Sequence, residues 1–305
     1  MSGFTLYGGE VTGTFNPDSR FRYIITDPVV GFVDKRVRGV TTVIGEVLDK
    51  PGLRLWARDE MAKRLLGMEF VEGIPTYTEK GLILSHQAYT QAELQAKLEE
   101  SFNAYQDKSD RGKDIGTMTH DFVAQFLQGD LKKIDASTVL EQYTEAPEEF
   151  TKCVIKAVES FMVWWNSLPD KELLGTENII YSRKYEFSGT YDLKCRIGDK
   201  VYMLDVKTTN RSQTAPLGIY PEYFMQLGGY IQADEEESGT KFDDCGVINV
   251  GKDGKLSIAC ASDLGLEVED CKNSFIYAVT IHNWLNKLSK LTIDGKLKSH
   301  LMEVK

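Results

Sequence analysis

The segment TYDLKCRIGDKVYMLDVK, residues 190–207, decides how this chain folds. Gly198-Asp199 lies between two runs that alternate apolar and polar residues, and a Gly-X pair there suits a two-residue type II′ hairpin turn. With that turn Ile197 pairs with Lys200, and each later pair keeps the same index sum. Asp192 therefore falls opposite Asp205. Successive side chains on a strand point to opposite faces, so Lys207 joins Asp205, and Lys194 and Arg196 join Asp192. The opposite face carries Tyr191, Leu193, Cys195, Tyr202, Leu204 and Val206, a core face.

Two aspartates directly opposite would have Cβ atoms ~5 Å apart, with roughly 3 kcal/mol of repulsion at an effective dielectric of ~20. Asp is also a poor strand former, so the pair violates local preference twice, a pattern typical of functional sites. A hard divalent cation held by carboxylate oxygens and a backbone carbonyl would relieve the repulsion. So would Lys207 alone, as an ion-pair cluster on a sheet face.

Residues 177–207 read as three antiparallel strands, followed by a helix over 221–235, two strands near 244–261 and a closing helix near 270–290. Before them, a helix after Pro147 carries Phe150, Val154, Ala157, Val158, Phe161 and Trp165 on one stripe. This order describes an α/β sandwich with a mixed sheet. Further upstream, helices are expected over 53–66, from the Thr90-x-x-Glu93 capping box to about residue 106, and over 114–128 with Gly129 as C-cap. The first ~45 residues, including FRYIITDPVVGFVDKRVRGVTTVI, read as short strands. Glu177 is expected to be a solvated glutamate at a strand start, and a further candidate for the acidic cluster.

The composition is that of a globular protein, with 42% hydrophobic and 27% charged residues. No apolar run approaches the ~18 residues of a membrane span, and the N-terminus has no leader pattern, so a cytosolic protein is expected. Five cysteines without a CxxC pair point to buried reduced thiols rather than a zinc or iron–sulfur centre. The net charge of −10 argues against nucleic-acid binding unless a local basic groove or a bound metal supplies the positive charge.

These residues resemble the PD-(D/E)XK nuclease superfamily and, within it, the RecB-type branch that includes phage exonucleases and the mitochondrial genome maintenance exonuclease. The matching segments are Gly189-Thr190-Tyr191-Asp192, then Asp205-Val206-Lys207 as the (D/E)xK element, then Gln226-Leu227-Gly228-Gly229-Tyr230 as QxxxY. Upstream, Gly116-Thr117-Met118-Thr119-His120 is similar to the family's G-x-x-x-H helix, and segments from Val40 to Ala57 look like phage exonuclease N-terminal regions. Cys245, Cys260 and Cys271 are too dispersed to reproduce the cysteine cluster of the iron–sulfur members.

The resemblance implies a restriction-endonuclease-like core, a mixed central sheet flanked by helices, over residues 111–305, with a mainly helical accessory region over 1–110. It implies one or two Mg²⁺ or Mn²⁺ ions held by His120, Asp192, Asp205 and the Val206 carbonyl, with no iron–sulfur cluster. Lys207 would act on the attacking water or the phosphate, and Gln226 and Tyr230 would position the strand backbone. Arg54, Trp56, Arg58, Thr208 and Arg211 would contact DNA. The implied activity is exonucleolytic hydrolysis of linear DNA in phage-type recombination, replication or repair, in a host cytoplasm if phage-encoded. A single-strand annealing or binding protein is the implied partner.

Other readings stay open at this stage. His120 lies on a helix face with Gly116, Val123, Ala124 and Leu127, where a histidine is often a core residue. An i, i+4 Gln/Tyr pair is often plain surface, and the helix carrying Arg54, Arg58, Lys63 and Arg64 is equally an ordinary amphipathic one. The chain as a whole could be an endonuclease, a structure-specific nuclease or a non-catalytic DNA-binding module.

Overall fold

The computed structural model describes residues 1–19, 21–48, 51–66, 68–71, 74–77, 91–209 and 219–293. Thr90 of the expected capping box and Arg211 lie outside them. In chain order the strands and helices are β1 (Ser2–Leu6), β2 (Val11–Phe15), β3 (Tyr23–Asp27), β4 (Phe32–Gly39), α1 (Val40–Val47), α2 (Pro51–Leu66), β5 (Met68–Val71), β6 (Ile74–Tyr77) and α3 (Gln91–Gln128). There follow α4 (Ala136–Gln142), α5 (Glu148–Ser167), β7 (Lys171–Ser182), β8 (Phe187–Ile197), β9 (Lys200–Thr209), α6 (Pro221–Ser238), β10 (Asp244–Gly251), β11 (Leu256–Cys260) and α7 (Val268–Ile293).

Nine strands form one mixed sheet in the order β1-β2-β3-β4-β8-β9-β10-β11, with β7 on the other edge of β8. Pairing is antiparallel except where β4 meets β8 and β9 meets β10. Every residue of β10 is buried, which requires cover on both faces. Helices α1, α6 and α7 supply one cover: Val40, Val43 and Ile44 share a core with Leu227, Tyr230, Ile231, Phe275 and Val279 and with Met203 and Val247 of the strands. α5 packs on β10 and β11, and its stripe from Val154 to Trp165 is buried as its spacing predicts, with Phe150 half-buried.

The β8–β9 hairpin forms in the expected register, from Ile197↔Lys200 to Leu193↔Leu204. Gly198 takes φ +58° and Asp199 keeps a negative φ, the sign pattern of a type II′ turn. The ladder stops there, one pair short of the aspartates. Both faces of the hairpin contribute to the interior, since Met203 and Lys194 on the aspartate face are buried along with Leu193 and Leu204 on the other.

Three expectations for the N-terminal half are corrected. The residues VTTVI are not a strand but open α1, because Val40, Val43 and Ile44 fall on one helical stripe and that stripe is buried against α6 and α7. The β-branched run is overruled by tertiary packing. The helices expected at 90–106 and 114–128 are one helix, α3, closed by Gly129 at φ +89°. Nothing between them forbids this: Gly112 costs only ~1 kcal/mol inside a helix, and Asp110 and Lys113 pair at i, i+3.

The third correction concerns the boundary at 110/111 and the mainly helical accessory region. Residues 1–48 form a compact unit with residues 118–305, and residues 49–117 form a second unit. β1–β4 belong to the main sheet because β4 is hydrogen-bonded to β8, and Val11, Ile25 and Val37 bury Tyr181 of β7. The second unit contains α2, the β5–β6 hairpin and the first part of α3.

Candidate active site

The site lies in a fork of the sheet. One edge of β8 is paired with β7 along its length. Its other edge pairs with β9 at residues 193–197 and with β4 at Phe187 and Ser188. Residues 189–192 fall between, with no ladder partner on that edge among the described residues. Where the next rung would be, the Val206 backbone N–H donates to Asp192 Oδ2 at 2.7 Å. A side chain has replaced a rung, and the two aspartates face the opening.

Asp205 is fully buried, and Gln226 Nε2 donates to its Oδ1 at 3.0 Å and to the Tyr230 hydroxyl at 2.7 Å. Lys207 Nζ lies 2.5 Å from Asp205 Oδ2. Among the described residues that oxygen has no partner besides the Lys207 ammonium. The Gln226 amide thus joins Asp205 to Tyr230, and Tyr230 is too buried to stack on a base. Gly189 is required here: a Cβ would lie 2.7 Å from the Tyr230 ring.

From the opposite side His120 of α3 brings Nδ1 within 3.5 Å of Asp192 Oδ2 and 3.8 Å of Glu177 Oε1. It is not the core histidine that its helix face also allowed. Glu177 is exposed, as expected, and joins the acidic cluster, but its place in the strand differs from the expected one. It sits inside β7 rather than at a strand start, at φ +51°, and the register Thr176↔Leu193 and Asn178↔Tyr191 sets it opposite Asp192. The ligand atoms of His120, Glu177 and Asp192 all lie within 4.8 Å of one another.

Electrostatics divide these groups. Burial, helped by Asp192, pushes the Asp205 carboxyl up to about 6 against the pull of Lys207. Burial would raise Asp192 too, but His120, Lys207 and the Val206 N–H together hold it below the usual carboxylate value. Burial works against charge on His120 and Lys207, and the neighbouring carboxylates outweigh it, so both are raised. Without a metal the centre is therefore a compact network of charge pairs. Its donors, carboxylate oxygens and one imidazole, suit Mg²⁺ or Mn²⁺. The Asp205 oxygen that only Lys207 contacts among the described residues and the close His120–Glu177–Asp192 set fit such an ion.

Of the residues expected to contact DNA, three lie on α2 in the second unit and one on β9. Thr208 is half-buried on β9, on the face opposite Asp205 and Lys207. Arg54 and Arg58 are exposed and Trp56 is half-buried on α2, in the second unit, where Arg58 pairs with Asp59. The cysteines are free thiols, and Cys245 and Cys271, dispersed in sequence, lie 3.8 Å apart in the core. No helix among the described residues is long and apolar enough to cross a membrane.

No family model matches the chain, and no curated protein does. Among solved structures, that of SSO0001 is similar at a TM-score of 0.29 and 13% identity, over 56% of this chain and 87% of that one. A candidate exonuclease from Eubacterium rectale is similar at a TM-score of 0.34 and 12% identity, over 55% of this chain and 68% of that one.

Proposed function

We propose that this chain is a divalent-metal-dependent nuclease of the PD-(D/E)XK type, in its RecB-like branch, and that it hydrolyses phosphodiester bonds of linear DNA. The observation that carries this reading is the convergence of Asp192, Asp205 and Lys207 at the fork between β8 and β9, with His120 and Gln226 reaching it from two helices. Asp192, Asp205, the Val206 carbonyl and His120 would hold the ion, with Glu177 as an added carboxylate. When bound, the metal lowers the pKa of a water and offsets charge developing on the phosphate.

The chain's own groups do the rest. Val206 N–H and Gln226 fix the two carboxylates, so little reorganisation is needed when a phosphodiester enters. Lys207 stays protonated beside both aspartates and supplies a cation to the attacking water or the pentacoordinate phosphorus. Tyr230 keeps its proton, because burial and then both aspartates push its pKa well above 10. It buttresses Gln226 and takes no part in proton transfer.

The test is digestion of 5′- or 3′-labelled linear DNA with Mg²⁺, Mn²⁺ or excess chelator, beside a circular, end-free substrate. Metal-dependent loss of label from linear DNA with the circle intact is expected. Cleavage undiminished in chelator would remove the metal from the reading, and cleavage of the circle would replace the exonuclease with an endonuclease.

A further inference from the structure

A chain of net charge −10 needs a local source of positive charge to hold a polyanion, and one place on the main unit supplies it. Between β4 and α7 lies a cavity of about 500 Å³, lined among others by Lys35, Arg36, Arg38, Glu186, His282 and Lys287. That volume is within the ~300–1,000 Å³ of small-ligand clefts. Lys35 is paired with Glu186 at 2.6 Å and Arg38 with Glu46 at 3.3 Å. Arg36 and Lys287 are exposed, and among the described residues neither has an ion-pair partner. Four cations against those two carboxylates leave the cavity positive on an acidic protein.

The cavity is built rather than a chance gathering of mobile side chains. The guanidinium groups of Arg36 and Arg38 lie 5.2 and 5.0 Å from the ring centroid of Phe21, which fixes the direction of both. On α7, buried His282 places Nδ1 3.0 Å from Glu46 Oε2 and Nε2 2.8 Å from Asn286 Nδ2. A neutral ring satisfies both contacts, donating to the glutamate and accepting from the amide, and burial lowers its pKa accordingly. Position matters as much as charge. β4 ends at Gly39, which lies against the Tyr23 ring, and the Tyr23 hydroxyl bonds Thr190 at 3.0 Å, two residues from Asp192.

We infer that this cavity is a backbone-binding subsite for single-stranded DNA, in which Arg36 and Lys287 each neutralise a phosphate and β4 leads the strand towards the fork. A phosphate chain fits the two unpaired cations, and aromatic–arginine contacts beside them suit a flexible single strand better than a smooth duplex. The choice of DNA as the polyanion rests on the nuclease reading; the basic cavity itself does not.

The experiment measures binding of a fluorescent 20-mer single strand, in chelator so that nothing is cut, to the full-length wild type and to R36E/K287E and R36Q/K287Q, from 50 mM to 500 mM salt. Two lost phosphate contacts should flatten the slope of log Kd against log salt by about 1.4 and weaken binding roughly twentyfold near 0.1 M in the neutral variant. Charge reversal should weaken it further. Thermal melts check folding, and hydrolysis of bis(p-nitrophenyl) phosphate with Mn²⁺ checks the metal centre, which these exposed residues do not touch. Lost binding with unchanged ester hydrolysis is the expected result. A wild type that binds the oligonucleotide through this cavity yet hydrolyses no phosphodiester would sink the nuclease reading and leave the subsite standing. Unchanged affinity and salt slope in both variants, or a wild type that binds no single strand, would overturn the subsite.

Discussion

Helix α6 presents two faces that obey different physics. One carries Gln226 to Asp205, a polar contact in which the amide restrains a charge and is itself held by the Tyr230 hydroxyl. The other carries Gly228 and Gly229 to α7, an apolar contact so close that a Cβ on Gly228 would lie 2.1 Å from the Cys271 carbonyl oxygen. Within one five-residue motif, QLGGY, the polar ends serve the candidate site and the glycines serve the packing that holds the helix against the sheet. Stability and chemistry should therefore separate cleanly under mutation.

The largest effect expected is on the chemical side. Lys207→Ala should lower DNA hydrolysis by about 10³-fold, roughly 4 kcal/mol on the barrier, because it removes the cation beside the reacting phosphate. The fold survives, since Asp205 can take up a proton once its partner is gone. Single-turnover assays on protein shown folded by melting measure this; activity within tenfold of wild type would exclude Lys207 from the reaction.

Next comes the packing side. Gly228→Ala should cost about 3 kcal/mol, as α6 and α7 must separate to admit a methyl group against backbone. Gly229→Ala should cost less, about 1 kcal/mol, because its Cβ would meet only the Phe275 ring at 3.0 Å, and a side chain can yield. Denaturant titration of the two variants gives the difference directly, and equal costs would mean that the α6–α7 contact yields as easily at backbone as at a side chain.

Asp205→Asn crosses the two sides. An aspartate whose pKa rises from 3.8 to about 6 on folding binds more protons folded than unfolded, so stability falls as pH rises through that window. At pH 7 in chelator the ionised carboxylate thus costs about 3 kcal/mol, and the asparagine variant should be more stable by that amount, an advantage that fades as pH falls from about 6 and is gone below about pH 4. With Mg²⁺ the order should reverse, because only the wild type gains from the ion. Equal metal-induced shifts in melting temperature would show that Asp192 and Asp205 do not share a metal.

The smallest effect is expected at His120. His120→Ala should raise the Mg²⁺ concentration for half-maximal activity about tenfold, near 1.4 kcal/mol, with melting in chelator nearly unchanged. A variant that melts several degrees lower yet cuts at wild-type metal concentrations would return His120 to a structural role.

The hairpin was legible because its rules are local. A Gly-X turn fixes a two-residue connection, period two fixes the faces, and the pairs from Ile197↔Lys200 to Leu193↔Leu204 follow without reference to the rest of the chain. Asp192, Asp205 and Lys207 could be gathered from that register alone, and the buried stripe of α5 from its spacing. Legibility fails where a contact joins distant segments. Glu177 looked like a strand-end glutamate, and only the kinked register of β7 on β8 and the arrival of His120 bring it beside Asp192. The lone signal in sequence was an acidic residue among β-formers, which is too common to weigh.

Local sequence sets which residues share a face over a few consecutive positions, since backbone geometry repeats every two or 3.6 residues whatever surrounds it. Which faces meet is settled by the packing of the whole chain. VTTVI became α1 because α6 and α7 offered it an apolar partner, and the basic cavity exists because β4 and α7, separated by about 250 residues, were brought side by side. Such meetings depend on the burial of whole surfaces at once, an energy that belongs to no single segment and leaves no periodic trace in any of them.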